Sequence, residues 1–434
     1  MEGRLVPLDT HVAHTVMSRM LREGSAEELA TRLSPRLPGQ ESLPARIPAG
    51  NDHTAAGLDK RRQSLAELGI ATGQLAGKGE EIAPEALSGN IENLVGFARI
   101  PVGVAGPLRV NGTCAQGDFY VPLATSEGAL VASCNRGAYL VSQSGGVSVA
   151  CFTESVSRAP CFCFESLAEV GVFLAWLLPR VDSLQDVVAT TSRHCKLVDL
   201  RTTIVGREVH LIFDYTTGDA SGQNMVTIAT DAICRHLIER APRRPSHWYV
   251  EGNLSGDKKA TMIAFMSARG KKVVAEATIP RRLLARFGHT TPEDMKRYWE
   301  NSILGGVQSG SIGAQGHYAN SLAALFIACG QDAACVAEAS VGVTRMDVSG
   351  DGGLYVSVSM PNLIVGTVGG GTGLPTAREC LAMIDCLGQG KARKFAEICA
   401  ATTLAGEVSI TAALAAGDFS RAHATYGRGR KAES

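Results

Sequence analysis

No charge of either sign prevails in this chain of 434 residues: Lys and Arg total 42, Asp and Glu total 42, and the formal net charge is zero. That balance argues against nucleic acid or an anionic membrane as a main partner, while leaving room for a local basic pocket for a phosphorylated cofactor. No stretch approaches the ~18 apolar residues that span a bilayer. Met1-Glu2-Gly3-Arg4 is not followed by a signal-type apolar run, so a soluble, cytoplasmic protein with no membrane partner is expected. No Cys-x-x-Cys pair occurs among the 12 cysteines. Cys161 and Cys163 stand too close for an ordinary metal knuckle, so no metal is expected. Cys234, Cys329 and Cys399 lie in apolar runs and read as small core residues of a protein in a reducing compartment. The short motifs of common chemistries are missing as well: there is no GxGxxG, no GxxxxGK(S/T), no HExxH and no GxSxG. A dinucleotide, if bound, is held without the Rossmann fingerprint.

What is abundant is glycine, 48 residues against a usual ~7% of a chain. Much of it sits in apolar surroundings, where it suits tight turns and close approach of the backbone to a ligand. Length and a 45% hydrophobic content predict two or three domains with a large core. Residues 1–85 are polar and broken by Pro and Gly, with helical patterns near 11–32 and 58–69 and a linker over 34–56. In 86–159, Gly-rich turns alternate with apolar segments, and a helix is predicted over 122–143, opened by Thr125 or Ser126 with Glu127 in its first turn. Residues 160–249 have the size of a small α+β insert, in which helical patterns at 165–178 and 221–240 flank strand-like runs at 196–205 and 207–214. Residues 250–416 hold an apolar helix over 317–340, expected to be deeply buried, strands over 353–367 and a helix over 391–416. The tail, 417–434, is polar and expected to be mobile.

A few ionisable residues stand in settings that call for explanation. Gly252-Asn253-Leu254-Ser255-Gly256-Asp257-Lys258-Lys259 places an acid beside two lysines after a turn. A lysine held among charges can polarise a carbonyl and steady an oxyanion, although most such runs are solvated surface. Glu127, in Ala124-Thr125-Ser126-Glu127-Gly128, reads alone as a helix-dipole carboxylate. Asp332, in Cys329-Gly330-Gln331-Asp332, falls within the apolar helix, where a carboxylate must be paired or have its pKa shifted. His423, in Arg421-Ala422-His423, reads alone as a solvated histidine. Two glycine-rich segments suit either tight turns or anion contact. Gly218-Asp219-Ala220-Ser221-Gly222-Gln223-Asn224-Met225 leads into a helix whose first N–H groups suit phosphate oxygens. Gly366-Thr367-Val368-Gly369-Gly370-Gly371-Thr372 ends a strand.

Together these segments resemble one family, 3-hydroxy-3-methylglutaryl-coenzyme A (HMG-CoA) reductase. The resemblance spans roughly 86–430 and also rests on Glu92-Asn93-Leu94-Val95-Gly96, Ile100-Pro101-Val102-Gly103-Val104-Ala105-Gly106-Pro107-Leu108 and Leu404-Ala405-Gly406-Glu407. The wording of Pro101–Leu108 is similar to the class I branch, and the chain resembles a soluble prokaryotic member without the N-terminal anchor of animal and plant enzymes. The family's activity is the four-electron reduction of HMG-CoA to mevalonate and free coenzyme A with two reduced nicotinamides. By resemblance, Lys258 stabilises the developing oxyanion, Glu127 supplies a proton to the carbonyl oxygen, Asp332 links and tunes the two, and His423 protonates the departing thiolate. Substrate contacts fall on Ser133, Asn135, Arg136, Arg158, Asn253, Lys259, His317 and Asn320. Cofactor contacts fall on Ser192, Arg193, Asp219, Ser221, Gly222, Gln223, Asn224, Met225, Val368, Gly369, Gly370 and Arg428.

The fold implied is α+β: a small N-terminal helical region, a large domain around a central buried helix, and an inserted ferredoxin-like cofactor domain. Active sites would form between subunits of a homodimer or dimer of dimers, with Glu92-Asn93 near the interface. Ser192-Arg193 matches the pair that meets the 2′-phosphate of NADPH, which favours that cofactor over NADH. The chain departs from the family pattern in several places. Ser221 and Gln223 replace two methionines, Glu251 stands where many relatives have serine, Asn301 where they carry a substrate-facing lysine, and Gly429 where animal enzymes are phosphorylated. Two alternatives stay open: NAD-dependent oxidation of mevalonate by the same catalyst, and a non-catalytic coenzyme A- or nucleotide-binding protein on the same fold. The filled catalytic positions argue against the second.

Overall fold

The computed structural model describes residues 20, 22–79, 82–266 and 269–419. The helical pattern near 11–19, most of the polar tail, His423 and Arg428 lie outside them. The strands are Val102–Gly112 (β1), Gln116–Ala124 (β2), Val147–Arg158 (β3), Cys161–Cys163 (β4), Lys196–Val205 (β5), Glu208–Thr216 (β6), His247–Tyr249 (β7), Gly270–Ile279 (β8), Val343–Val348 (β9) and Leu354–Leu363 (β10). They make one ten-stranded sheet with the spine β7-β4-β6-β3-β8-β10-β9, to which β1, β2 and β5 are attached. Every pairing of these strands is antiparallel except the short register of β1 on β3. Strand β3 joins the two parts: its earlier residues pair β1 and β8, and Val156, Ser157 and Arg158 pair β6. In β8 and β10 buried residues alternate with less buried ones, the period-two pattern of a sheet with one face on the core.

The N-terminal segment is strapped to this sheet. Helices Ala26–Leu33 (α1) and Ala55–Glu67 (α2) start at Ser25 and Thr54, whose hydroxyls accept the N–H of Glu28 and Gly57. Arg109, fully buried on β1, pairs with Asp118 through two 2.8 Å hydrogen bonds. It also donates to the carbonyls of Arg36, Glu41 and Ser42. A buried guanidinium is tolerable only with its donors satisfied in this way.

Two expected helices are corrected. The pairing Val102↔Ala124 keeps residues 122–124 in β2; Ala129 then takes a left-handed φ of 74°, and the helix Leu130–Gln143 (α3) begins beyond it. Glu127 therefore sits in the loop before the helix. After α3, residues 160–249 supply Leu167–Leu177 (α4), Leu184–Ala189 (α5) and Gln223–Arg240 (α6), close to the predicted patterns. Pro292–Ser309 (α7) follows β8. The apolar run expected to be one helix over 317–340 is broken into a helix over Tyr318–Ala328 (α8) and a single helical turn over Val336–Ala339. The chain turns at Gly330 (φ 64°), where a Cβ would fall 2.2 Å from the Gly371 carbonyl oxygen. Asp332 caps a single 3-10 turn beyond it, its Oδ1 accepting the N–H of Ala334 at 3.0 Å.

Pro375–Met383 (α9) leads to the central element, Ala392–Ala415 (α10). It packs against α3, α7, α8, β1, β3, β8 and β10. Among the described residues it is the one helix long and apolar enough to cross a membrane, with a window of mean hydropathy 1.5, and 78% of that window is buried inside the fold. This corrects the expectation that no stretch comes near such a run. Glu397, Glu407 and several Ser and Thr residues interrupt the apolar sequence without lowering its average below that of a spanning helix. Glu397 is covered by donors from β1 and its turn: the Thr113 hydroxyl, Cys114 N–H (2.9 Å) and Ala115 N–H (2.7 Å).

Candidate active site

The segment between β7 and β8 is shaped by its own backbone. Asn253 (φ 65°), Gly256 (φ 77°) and Lys258 (φ 56°) all take left-handed conformations, which non-glycine residues seldom adopt. Buried charge holds them there. Arg269, almost wholly buried, donates to Asp257, to Gln223, to Glu338 (2.8 Å) and to the Ser157 carbonyl (2.6 Å). Arg158 donates to Asp257 (2.9 Å) and Glu251 (3.3 Å). Burial pushes the Asp257 carboxyl up, but Arg269 and Arg158 outweigh it and leave it below the usual carboxylate range. Glu338, itself buried, accepts the Lys258 N–H at 3.2 Å, and burial lifts its carboxyl above the usual value despite Arg269. Glu251 accepts from the Asn253 N–H (2.7 Å) and the Ser255 hydroxyl (2.9 Å). The product of this bracing is the placement of Lys258 Nζ 2.9 Å from Asp332 Oδ2, with side chains 44% and 41% exposed. The hydrogen bond that Lys258 donates to Asp332 raises the ammonium above its usual pKa, against desolvation. It is a fixed cation with an open face.

A second group lines a cleft of about 590 Å³ bordered by α3, α8 and α10. The Glu127 carboxylate accepts from Asn320 Nδ2 at 3.2 and 3.3 Å, and its N–H donates to Thr125 Oγ1 at 2.9 Å. Ser133 Oγ lies 2.9 Å from Ser409 Oγ, and Arg136 donates to the Ser409 hydroxyl (3.0 Å) and carbonyl (2.8 Å). Asn135 accepts the Gly106 N–H at 3.0 Å. His317 is set by Glu407, a buried carboxylate that accepts the N–H groups of Gly316 (2.8 Å) and His317 (2.6 Å) and the Thr344 hydroxyl (2.6 Å). The Nδ1 of His317 is buried with no hydrogen-bond partner among the described residues, a polar atom that calls for a partner from outside them.

The two glycine-rich segments meet. The Thr367 N–H donates to the Asp219 carbonyl (2.8 Å), and a Cβ on Gly366 would fall 2.5 Å from the Ser221 nitrogen, so only glycine lets the loops touch. Gln331, one residue before Asp332, accepts the Gly366 N–H at 2.9 Å. The Asp219 carboxylate accepts the N–H groups of Gly390 (2.8 Å) and Ala392 (3.1 Å) at the start of α10. Helix α6 opens at Gly222 (φ 79°) with no side-chain cap, so the first N–H groups of Gln223, Asn224 and Met225 have no intrahelical or capping acceptor. The register Lys196↔Thr216 brings the turn holding Ser192 and Arg193 to the same end of the β5–β6 hairpin as the Asp219 loop. Arg193 is exposed and donates to its neighbour His194.

The model of the hydroxymethylglutaryl-coenzyme A reductase family matches residues 57–428. The chain belongs to that family. A 3-hydroxy-3-methylglutaryl-coenzyme A reductase of Pyrococcus abyssi is 44% identical over 356 residues, 80% of this chain and 87% of the relative. One of Aeropyrum pernix is 45% identical over 346 residues, 78% and 82% of the two chains. Among solved structures, a class II HMG-CoA reductase of Streptococcus pneumoniae bound to NADPH superposes with a TM-score of 0.70, covering 85% of this chain and 100% of its own at 17% identity. That likeness shows a shared mixed α+β fold with a large, mainly antiparallel sheet.

Of the residues singled out by the HMG-CoA reductase resemblance, Asn253, Lys258, Lys259 and Asp332 come together at the braced loop, and Lys259 Nζ donates to the Asp257 carbonyl at 3.0 Å. Glu127, Ser133, Asn135, Arg136, His317 and Asn320 come together around the cleft. Among the described residues Glu127 bonds Asn320 but neither Lys258 nor Asp332, so the two groups are not joined directly within the chain. Arg158 has Asp257, Glu251 and Gln223 as partners inside the protein and a buried Nε with none among the described residues. Val368 is half-buried beside exposed Gly369 and Gly370. Four residues that matter to the geometry carried no assigned role in the sequence reading: Arg269, Glu338, Gln331 and Glu407. The carboxylates of Glu338 and Glu407 lie in apolar runs, the signal that drew notice to Asp332; Arg269 and Gln331 stand in short polar stretches and gave none.

Proposed function

We propose that this site carries out the reaction of its family, reduction of HMG-CoA to mevalonate and free coenzyme A with NADPH as reductant. The observation that carries the reading is the Lys258 ammonium, 2.9 Å from Asp332 on a loop fixed by buried charge and still open to a substrate. The residues present fit the nicotinamide nucleotide. Gly369 and Gly370 have positive φ and open space where a Cβ would stand, and the uncapped start of α6 offers N–H groups to phosphate oxygens. Arg193, at the same end of the hairpin, suits a 2′-phosphate, which favours NADPH over NADH. When bound, the reduced nicotinamide supplies a hydride, and two are consumed per turnover.

The chain's own groups manage charge and protons. Lys258 steadies the oxyanion on the thioester carbonyl as it becomes a thiohemiacetal, and again on the aldehyde as it becomes the alcohol. Asp332 keeps that lysine protonated and aimed. Glu127, held by Asn320, delivers a proton to the carbonyl oxygen. His423 protonates the thiolate of departing coenzyme A. Two hydrides and two protons turn the thioester into an alcohol and a thiol. The catalytic set is completed between subunits of a homodimer or dimer of dimers. This is supported by the separation of Glu127 from Lys258 in one chain, and by the exposed Ile91, Val95, Phe97 and Ile100 flanking the Glu92-Asn93 motif. Residues 86–159 and 250–416 act as the large domain and 160–249 as an inserted ferredoxin-like nucleotide domain. Phe162, Phe164 and Phe173 pack together within that insert, in a core continuous with that of the rest of the chain.

The test is loss of reduced-nicotinamide absorbance with purified protein, HMG-CoA and NADPH. Two NADPH oxidised per mevalonate, abolished in K258A with the fold intact, is the expected result. A folded protein that oxidises neither NADPH nor NADH would turn the reading toward a non-catalytic coenzyme A-binding protein.

A further inference from the structure

The base of the insert carries a cluster that the reduction does not use. Strand β4 lies between β6 and β7, with Cys161 opposite His210 and Tyr249, and Cys163 opposite Glu208 and His247. Residues opposite each other on antiparallel strands share a face, as do residues two apart on one strand. Cys161, Cys163, Glu208, His210 and His247 therefore occupy one face of a three-stranded patch, while Phe162, between the cysteines, is fully buried on the other. The ligating atoms of Cys161, Glu208 and His210 all lie within 4.8 Å of one another. The Nδ1 of His210 is buried and has no hydrogen-bond partner among the described residues. Arg207, beside Glu208 in sequence, faces Glu165 instead, at 3.9 Å.

A thiol, an imidazole and a carboxylate converging on one point form a donor set for zinc, which takes sulfur, nitrogen and oxygen ligands in tetrahedral array. We propose that Cys161, Glu208 and His210 form a structural site for a zinc-class divalent metal, with Cys163, on the same face of β4 and opposite Glu208, turning in to complete it as the fourth ligand. The Cys-x-Cys spacing is too short for a knuckle built from one turn, but here the remaining ligands arrive from the neighbouring strand. Gly252 closes the cluster: a Cβ there would lie 2.7 Å from His210 Nδ1 and 2.8 Å from Cys161 Cβ. The metal would thus pin β4 to β6 directly under the loop that carries Asn253 and Lys258.

The experiment titrates Co²⁺ into the purified full-length protein, stripped with a chelator, and follows absorbance. One Co²⁺ per chain, with thiolate-to-cobalt charge-transfer and tetrahedral ligand-field bands that Zn²⁺ abolishes, is the expected result. C161S should remove most of the charge-transfer band. H210Q and E208Q should weaken binding by more than the ~10–100-fold typical of losing an outer-shell partner. Glu208 is exposed, so E208Q keeps the test valid if a buried variant fails to fold. No charge-transfer band in the wild-type protein, or a band of unchanged affinity in both E208Q and H210Q, would overturn the proposal.

Discussion

Lys258 depends on its neighbours twice, once for its charge and once for its backbone. The Asp332 hydrogen bond is the first cause of its raised pKa. A raised lysine pKa means that the ammonium is present below it and lost as pH climbs through it, so the active form fails only at the alkaline end. In D332N that failure should arrive at lower pH, and kcat should fall by roughly 10²–10³, the usual scale for losing an electrostatic contributor to an oxyanion site. A pH–rate profile checks this, and an alkaline limb that does not move would separate Asp332 from the lysine's titration. The backbone gives a second prediction. At φ 56°, alanine is strained and glycine is not, so K258G should be more stable than K258A by about 1 kcal/mol in urea unfolding, while both are inactive. The residue types of Lys258, Asp332 and Glu127 and the pairing of the first two were legible in sequence because their motifs are long, whereas the expected link from Asp332 to Glu127 is not made among the described residues. The Arg269–Glu338 pair that braces the loop was not, because two charges 69 positions apart become partners only when burial brings them together.

At the scale of elements, α10 and α6 were readable from pattern and length, while α3 and α8 were misjudged. A strand partner claimed the first turn expected of one, and the close approach of Gly330 to Gly371 ended the other; both are tertiary facts that propensity cannot contain. Helix α10 also carries a titrating core. Burial pushes the Glu397 carboxyl up to about 7 from 4.5, in spite of four hydrogen-bond donors. The folded state keeps this proton while the unfolded chain gives it up, so stability falls as pH rises from about 4.5 to about 7, by an amount on the order of 3 kcal/mol. Urea midpoints across that range should flatten in E397Q. An equal slope in the variant would assign the pH dependence to another group.

For the whole molecule, the strap of residues 22–48 is part of the large unit rather than a leader to it. Removing residues 1–48 takes away three carbonyl acceptors from the buried Arg109. The truncated protein should lose about 3 kcal/mol or more, seen as a lower melting temperature with HMG-CoA and NADPH absent; an unchanged melting temperature would mean that solvent replaces the strap. The family's motifs made the reaction legible from the sequence, but not how residues 34–56 attach, since Arg36, Arg109 and Asn111 meet only through contacts about 75 positions apart. The position of α10 in the chain has one more consequence. Every strand it covers is translated before it. At ~5–20 residues per second, the ~300 residues between β1 and the end of α10 take roughly 15–60 s to synthesise. Throughout that interval the nascent sheet presents an open apolar face, and the helix that follows is greasy enough to be mistaken for a membrane span. The polypeptide leaving the ribosome should thus need shielding until residue 415 is made, and fragments ending before residue 392 should be recovered as aggregates.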